Sequence, residues 1–229
     1  MLMEPQQMTA SLILIFCMFT CINVAAQKTE AYKIEYGVVL SHTSQQDTFA
    51  NDRKSMITAY VNQKQIHVDE RGYSPYVQIS DLTDSISFKY FTDLDSSKLA
   101  LRVPLVMPKL SINPFSEEED LWASSQMALT LSDETTIVSG YECHLARFAL
   151  GKSNEVLVWY VKGLPQLFWA DYDYLQRVPG LPLKIIINDK ESNFSIGIAA
   201  LSVEKTQVDV SLFKVPAEYK ILSSENNEL

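Results

Sequence analysis

Residues 140–185 read GYECHLARFALGKSNEVLVWYVKGLPQLFWADYDYLQRVPGLPLKI, and this stretch decides the fold. It reads as two strands, a short aromatic helix or loop, and a third strand entered through Pro179-Gly180-Leu181-Pro182. Trp159 and Trp169 lie in it with Tyr160, Phe168, Tyr172 and Tyr174, and such large apolar side chains dominate cores and ligand sites. From Glu155 to Lys162 both alternating sets are apolar: Val156, Val158 and Tyr160 on one face, Leu157, Trp159 and Val161 on the other. A strand apolar on both faces is covered on both sides. The nearest cover is the segment that follows, where Phe168, Tyr172 and Leu175 fall at i, i+4 and i+7 of a helix within 165–178. That spacing predicts a helical lid.

Upstream, the chain keeps a period of two. Tyr32, Ile34, Tyr36, Val38 and Leu40 mark a half-buried strand. Residues 55–61 and 65–70 flank Asn62-Gln63-Lys64 as a hairpin, with Ile66 and Val68 facing one way and His67 and Asp69 the other. Residues 73–79 read as an edge strand, because Pro75 cannot donate to a ladder. Ile86, Phe88 and Tyr90 alternate, as do Leu99, Leu101 and Val103, with 93–97 as the turn of an antiparallel pair. Residues 104–114, with three prolines, read as a loop, and Ser116 with Glu119 caps a short helix over 117–126. Beyond the deciding stretch, 194–208 is one long strand with a bend at Gly197, and 210–222 holds a short turn. Many strands with few, short helices predict a mainly β fold: a strongly curved antiparallel sheet, an incomplete barrel, with short helices covering its concave face.

Residues 1–26 read as a secretory signal, with an apolar run from Ala10 to Ile22. Val24-Ala25-Ala26 then places small residues at the third and first positions before the cut. A single β domain spans 27–222, and 223–229 reads as a flexible tail. The net charge is −9 and the signal removes only one acid, Glu4, so the mature chain stays acidic. An acidic surface disfavours nucleic acid and anionic membranes as partners. Cys17 and Cys21 fall within the signal and leave Cys143 alone, so the core must hold without a disulfide. Cys21 follows Met18-Phe19-Thr20, which departs from a lipidation box.

Catalytic patterns are missing. The chain has no Gly-x-Ser-x-Gly elbow, no glycine-rich phosphate loop and no His-Glu-x-x-His. His67 with Asp69 is two ligands, fewer than a metal site needs, although strand pairing could bring His67 to His144. Asp171, Asp173 and Asp189 read as acidic loop residues rather than an acid/base pair, and Cys143 as a buried, inert thiol. Asn193-Phe194-Ser195 matches a glycosylation sequon. No metal, cofactor or enzymatic activity is expected.

Four pieces stand in an order and spacing that resembles a known group: Thr136 to Ala146, Val158-Trp159-Tyr160 with Leu164-Pro165, Pro179 to Leu183, and Leu212 to Lys220. The group is the uncharacterised envelope proteins of GLPGLI type, together with domains similar to the LolA and LolB lipoprotein carriers. Of the GLPGLI string only Pro179, Gly180 and Leu181 are present. The resemblance implies secretion across the inner membrane of a Gram-negative bacterium, to the periplasm or the outer membrane. It also implies a LolA-like curved sheet whose apolar hollow holds an acyl chain.

The expected function is therefore binding of an apolar ligand, a lipid or lipoprotein acyl chain, with Trp159, Phe168, Trp169, Tyr172 and Leu175 as walls and lid. The alternative is a structural or protein-interaction module of the envelope, its partner unknown, with these same side chains as ordinary core. The two readings differ in whether the hollow is open or filled.

Overall fold

The strands come in the order that the alternation predicts. In the computed structural model they are β1 Lys28–His42, β2 Thr48–Phe49, β3 Ile57–Val61, β4 Gln65–Glu70, β5 Tyr76–Asp81, β6 Ile86–Thr92 and β7 Lys98–Pro104. They continue as β8 Leu129–Val138, β9 Tyr141–Leu150, β10 Asn154–Lys162, β11 Gly180–Asp189, β12 Phe194–Asp209 and β13 Lys220–Leu222. The structure describes residues 27–42, 48–49, 54–72, 75–105, 127–150, 154–189 and 194–222. The signal, most of the proline loop, the 117–126 helix, Asn193 of the sequon and the tail after 222 lie outside the described residues.

All these strands join one sheet in the order β13-β7-β6-β5-β4-β3-β1-β12-β11-β10-β9-β8, with β2 beside β1. The pairings are antiparallel except that of β13 with β7, and the outermost strands β13 and β8 are not neighbours, so the sheet is open. Short connections explain the meander, as between β8 and β9, where Ser139 (φ 48°) and Gly140 (φ 83°) make a two-residue turn with both residues left-handed. Ser139 Oγ also donates to the Ala200 carbonyl of β12 (2.6 Å), three strands from β9 along the sheet.

The sheet is strongly curved, and its contacts prove it. Ala170 N–H donates to Gln78 Oε1 on β5 (2.9 Å), while the Tyr174 ring packs against Phe148 on β9 at 5.1 Å between centroids. In a flat sheet these strands, seven places apart, would lie about 34 Å from each other. The eight-residue 3-10 helix Ala170–Arg177, which carries Tyr174 and which we call the plug, spans about 16 Å at most. Only a rolled sheet lets it touch both.

Two irregularities help the roll. β1 and β12 slip register between Glu35 and Tyr36, leaving Leu201 as an extra residue on β12. β10 and β11 slip between Trp159 and Tyr160, leaving Leu183 extra on β11. The bend expected at Gly197 is instead a close approach: a Cβ there would lie 1.9 Å from the Ile185 carbonyl oxygen.

Other expectations change with the topology. Strand β5 is interior, between β4 and β6, because Pro75 falls just outside it and its missing N–H costs no ladder bond. The expected lid helix begins at Ala170, since Trp169 is extended (φ −154°, ψ 176°), and Tyr172 (φ −136°, ψ 38°) breaks the helical path. Its burial therefore does not follow one face: Leu167, Phe168, Trp169, Tyr174 and Leu175 are all buried. On β10 only Val156, Val158 and Tyr160 are fully buried, and Leu157, Trp159 and Val161 are half-buried. The second face is thus covered in part. The tail turn is a 3-10 helix, Val210–Phe213, and β13, which the sequence reading does not foresee, follows it.

Candidate functional site

The concave face of the sheet and the plug form one apolar core. Ile34 and Tyr36 of β1, Ile66 and Val68 of β4, Phe148 of β9, and Val156 and Val158 of β10 belong to it with Leu167, Phe168, Trp169 and Leu175. Trp169 stacks at 4.5 Å on Tyr172 and lies 6.2 Å from Tyr36, and Arg177 lies over the Phe148 ring at 5.6 Å. Of the side chains expected to form walls and lid, Phe168, Trp169 and Leu175 are deeply buried here and Tyr172 is half-buried. Trp159, half-buried, lies on the other alternating set of β10, opposite Leu145 and Lys184 in register, and packs against the margin of this core. In this state the plug fills the hollow.

Besides Ala170 to Gln78, Gln176 Nε2 donates to the Leu105 carbonyl (2.8 Å), Gln166 Nε2 to that of Val178 (2.9 Å), and the Arg177 guanidinium to that of Met127. The first residue before the plug, Trp169, offers it no side-chain cap. The plug is therefore held by side-chain packing rather than by a ladder of backbone bonds.

Under its N-terminal end lies a buried polar cluster. Gln78 Nε2 reaches Ser80 Oγ (3.3 Å) and Ser87 Oγ (3.2 Å), the two hydroxyls are 2.8 Å apart, and Ser87 Oγ donates to the Ile79 carbonyl. The alternation over 73–79 marks a strand without saying which of its faces is covered, so the sequence reading misses this cluster. Only the position of the plug reveals that Gln78 and Ser80 face a core.

On the convex face the helix Val210–Phe213 forms a strap. Phe213 packs with Ala31, Ile79, Tyr90 and Ala100, and His67 Nδ1 is 2.8 Å from the Leu212 carbonyl. Burial holds His67 below the usual imidazole range, opposed by that carbonyl and by Asp69, so the neutral ring donates from Nδ1. Tyr90 is pushed up to about 12, chiefly by burial. Open clefts flank the strap. One of about 420 Å3 is lined by Tyr60, His67, Tyr90, Ser211 and Lys214, and one of about 330 Å3 by Ile79, Phe88, Phe213 and Val215.

The remaining candidates are placed as follows. Asp69 pairs with Arg71 (2.6 Å), and six strand places separate β4 from β9, so pairing does not bring His67 to His144. Among the described residues no group of three or more His, Cys, Asp and Glu is placed to hold a metal. Asp171 and Asp173 lie on the plug, and Asp189 ends β11 opposite Asn154 and Phe194. Cys143 is buried, and burial pushes its thiol up to about 11, which keeps it protonated at neutral pH.

No family model and no curated protein matches the chain. Among solved structures, PNGF-II in two crystal forms is similar, with TM-scores of 0.50 and 0.51 and 17% identity. The match covers 85% of this chain but 31% and 32% of PNGF-II, so the chain spans about a third of that protein. An uncharacterised conserved protein from Thermus thermophilus aligns over 94% of this chain and 99% of its own length at TM-score 0.44 and 8% identity. A LolA superfamily protein from Nitrosomonas europaea aligns over 81% and 90% at TM-score 0.31 and 8% identity. At these identities the likeness concerns the fold alone.

Proposed function

We propose that this chain is a non-enzymatic binding protein of the bacterial cell envelope, secreted across the inner membrane, that takes a lipid or lipoprotein acyl chain into the hollow of its sheet. The observation that carries this reading is the construction of the plug: a continuous apolar wall of the curved sheet is closed by a kinked 3-10 helix joined to it through side chains. An empty apolar hollow open to water is costly, so a binding protein of this kind keeps its own residues in it until a ligand replaces them. An acyl chain supplies about 0.8 kcal/mol per buried methylene, which offsets the plug's lost contacts without any catalytic group. No protein partner is assigned.

The test is native mass spectrometry of the chain purified from the envelope of its host, followed by organic extraction and lipid analysis. A stoichiometric lipid or lipopeptide is expected. A clean ligand-free mass, with no uptake of added fatty acid or phospholipid, would overturn the reading.

A second reading is favoured by the filled hollow together with the open clefts beside the strap. In it the concave side is ordinary core, and the chain is an interaction module whose convex face does the work. The ligand-free outcome of the same experiment selects it.

A further inference from the structure

Within the hollow the indole nitrogen of the plug's leading tryptophan has no partner. Trp169 is 1% exposed, and its Nε1 is buried without a hydrogen bond. Gln78 Oε1 accepts from Ala170 N–H, and the Pro182 carbonyl accepts from the Tyr36 hydroxyl, whose burial keeps it protonated. A buried donor left unmade costs the full desolvation of that group, and a core alone is better served by phenylalanine at such a place. The next residue, Ala170, anchors the plug to the buried polar cluster of Gln78, Ser80 and Ser87, whose hydroxyls can exchange partners. The hollow therefore has two unlike ends: a polar one at β5, β6 and Trp169, and a hydrocarbon one at Phe148, Val156 and Val158.

We propose that the hollow selects acyl chains joined through an ester or amide carbonyl, and that Trp169 Nε1–H is the donor that reads this carbonyl. The inference rests on the reading of the hollow as a lipid site and adds to it a polarity, a ligand class and a specificity-determining residue. When the plug is displaced beyond its kink at Tyr172, the bond from Ala170 to Gln78 keeps Trp169 in the hollow, and the chain lies along β9 and β10 with its carbonyl beside Trp169.

Matched probes isolate the carbonyl. 1-Palmitoylglycerol and 1-O-hexadecylglycerol share chain length and head group and differ in that one oxygen. The full chain is expected to bind the ester roughly tenfold more tightly, the scale of one buried hydrogen bond made rather than left open. Trp169→Phe keeps the ring stacking and removes the donor, so both probes should bind it at the ether's affinity. The Trp169 indole proton resonance, identified by its absence in that variant, should move downfield with the ester and not with the ether. Equal binding of both probes to the wild-type chain overturns this inference and leaves the lipid reading standing, as does a preference that survives Trp169→Phe. Uptake of neither probe overturns both. If Trp169→Phe does not fold, the ester-against-ether comparison on the wild-type chain decides the matter.

Discussion

The two faces of this sheet are closed in different ways. On the concave side the plug brings Phe168, Trp169, Tyr174 and Leu175 into one continuous core that reaches across the sheet from β5 to β9. On the convex side the strap contributes a single deeply buried ring, Phe213, to a small cluster, and clefts remain open on both flanks. A segment that fills a curved hollow is stabilised by many small contacts at once, whereas one that crosses a convex surface can cover only what lies beneath it. The plug accordingly belongs to the global stability of the fold, and the strap to a local unit.

The largest effect that would sharpen the comparison is expected from Leu175→Ala. Leu175 is fully buried, and its truncation should cost about 3 kcal/mol in urea unfolding. A loss under about 1 kcal/mol would mean that the plug is not part of the core, contrary to the contrast. Phe213→Ala should cost less, about 2 kcal/mol, because the clefts beside the strap let the site relax and admit water. Hydrogen exchange should show the loosening confined to the strands under the strap, β1 and β4 to β7; loosening that spreads to β9 and β10 would break the distinction.

The smallest effect is one of pH. Folding lowers the pKa of His67 below 6.5, chiefly by desolvation, so below 6.5 the unfolded chain binds a proton that the folded one resists. The stability from this group is present above pH 6.5 and is lost as the pH falls through the folded value. His67→Asn keeps a donor for the Leu212 carbonyl and removes the titration. Unfolding curves between about pH 7.5 and 5 should decline less steeply for the variant, by at most about 1.4 kcal/mol per pH unit, the limit for one proton. Parallel curves would show that the strap does not bury this ring.

Much of the fold was legible because strand alternation is a local signal. The hairpin about Asn62, the pair joined at 93–97 and the long central strands β1 and β12 stand where the period of two places them. The plug was legible as a cover but not as a shape: its i, i+4, i+7 spacing suggested a regular helix, whereas the pull of Trp169 and Tyr172 into the hollow left a kinked 3-10 turn. Of the candidate site, the burial of Phe168, Trp169 and Leu175 was legible, because their size draws them inward, whereas the half-burial of Trp159 depends on what covers its face of β10.

The sequence by itself thus determined the mainly β character, the position of most strands along the chain and the aromatic cover, since each depends on neighbours a few residues apart. Only the tertiary structure decided which face of β5 is interior, that His67 lies under a strap, and that Trp169 Nε1 is left without an acceptor. Those facts depend on contacts between residues 92 and 145 positions apart, Gln78 with Ala170 and His67 with Leu212. Burial of a polar group is a property of what lies over it, and the cover comes from elsewhere in the chain.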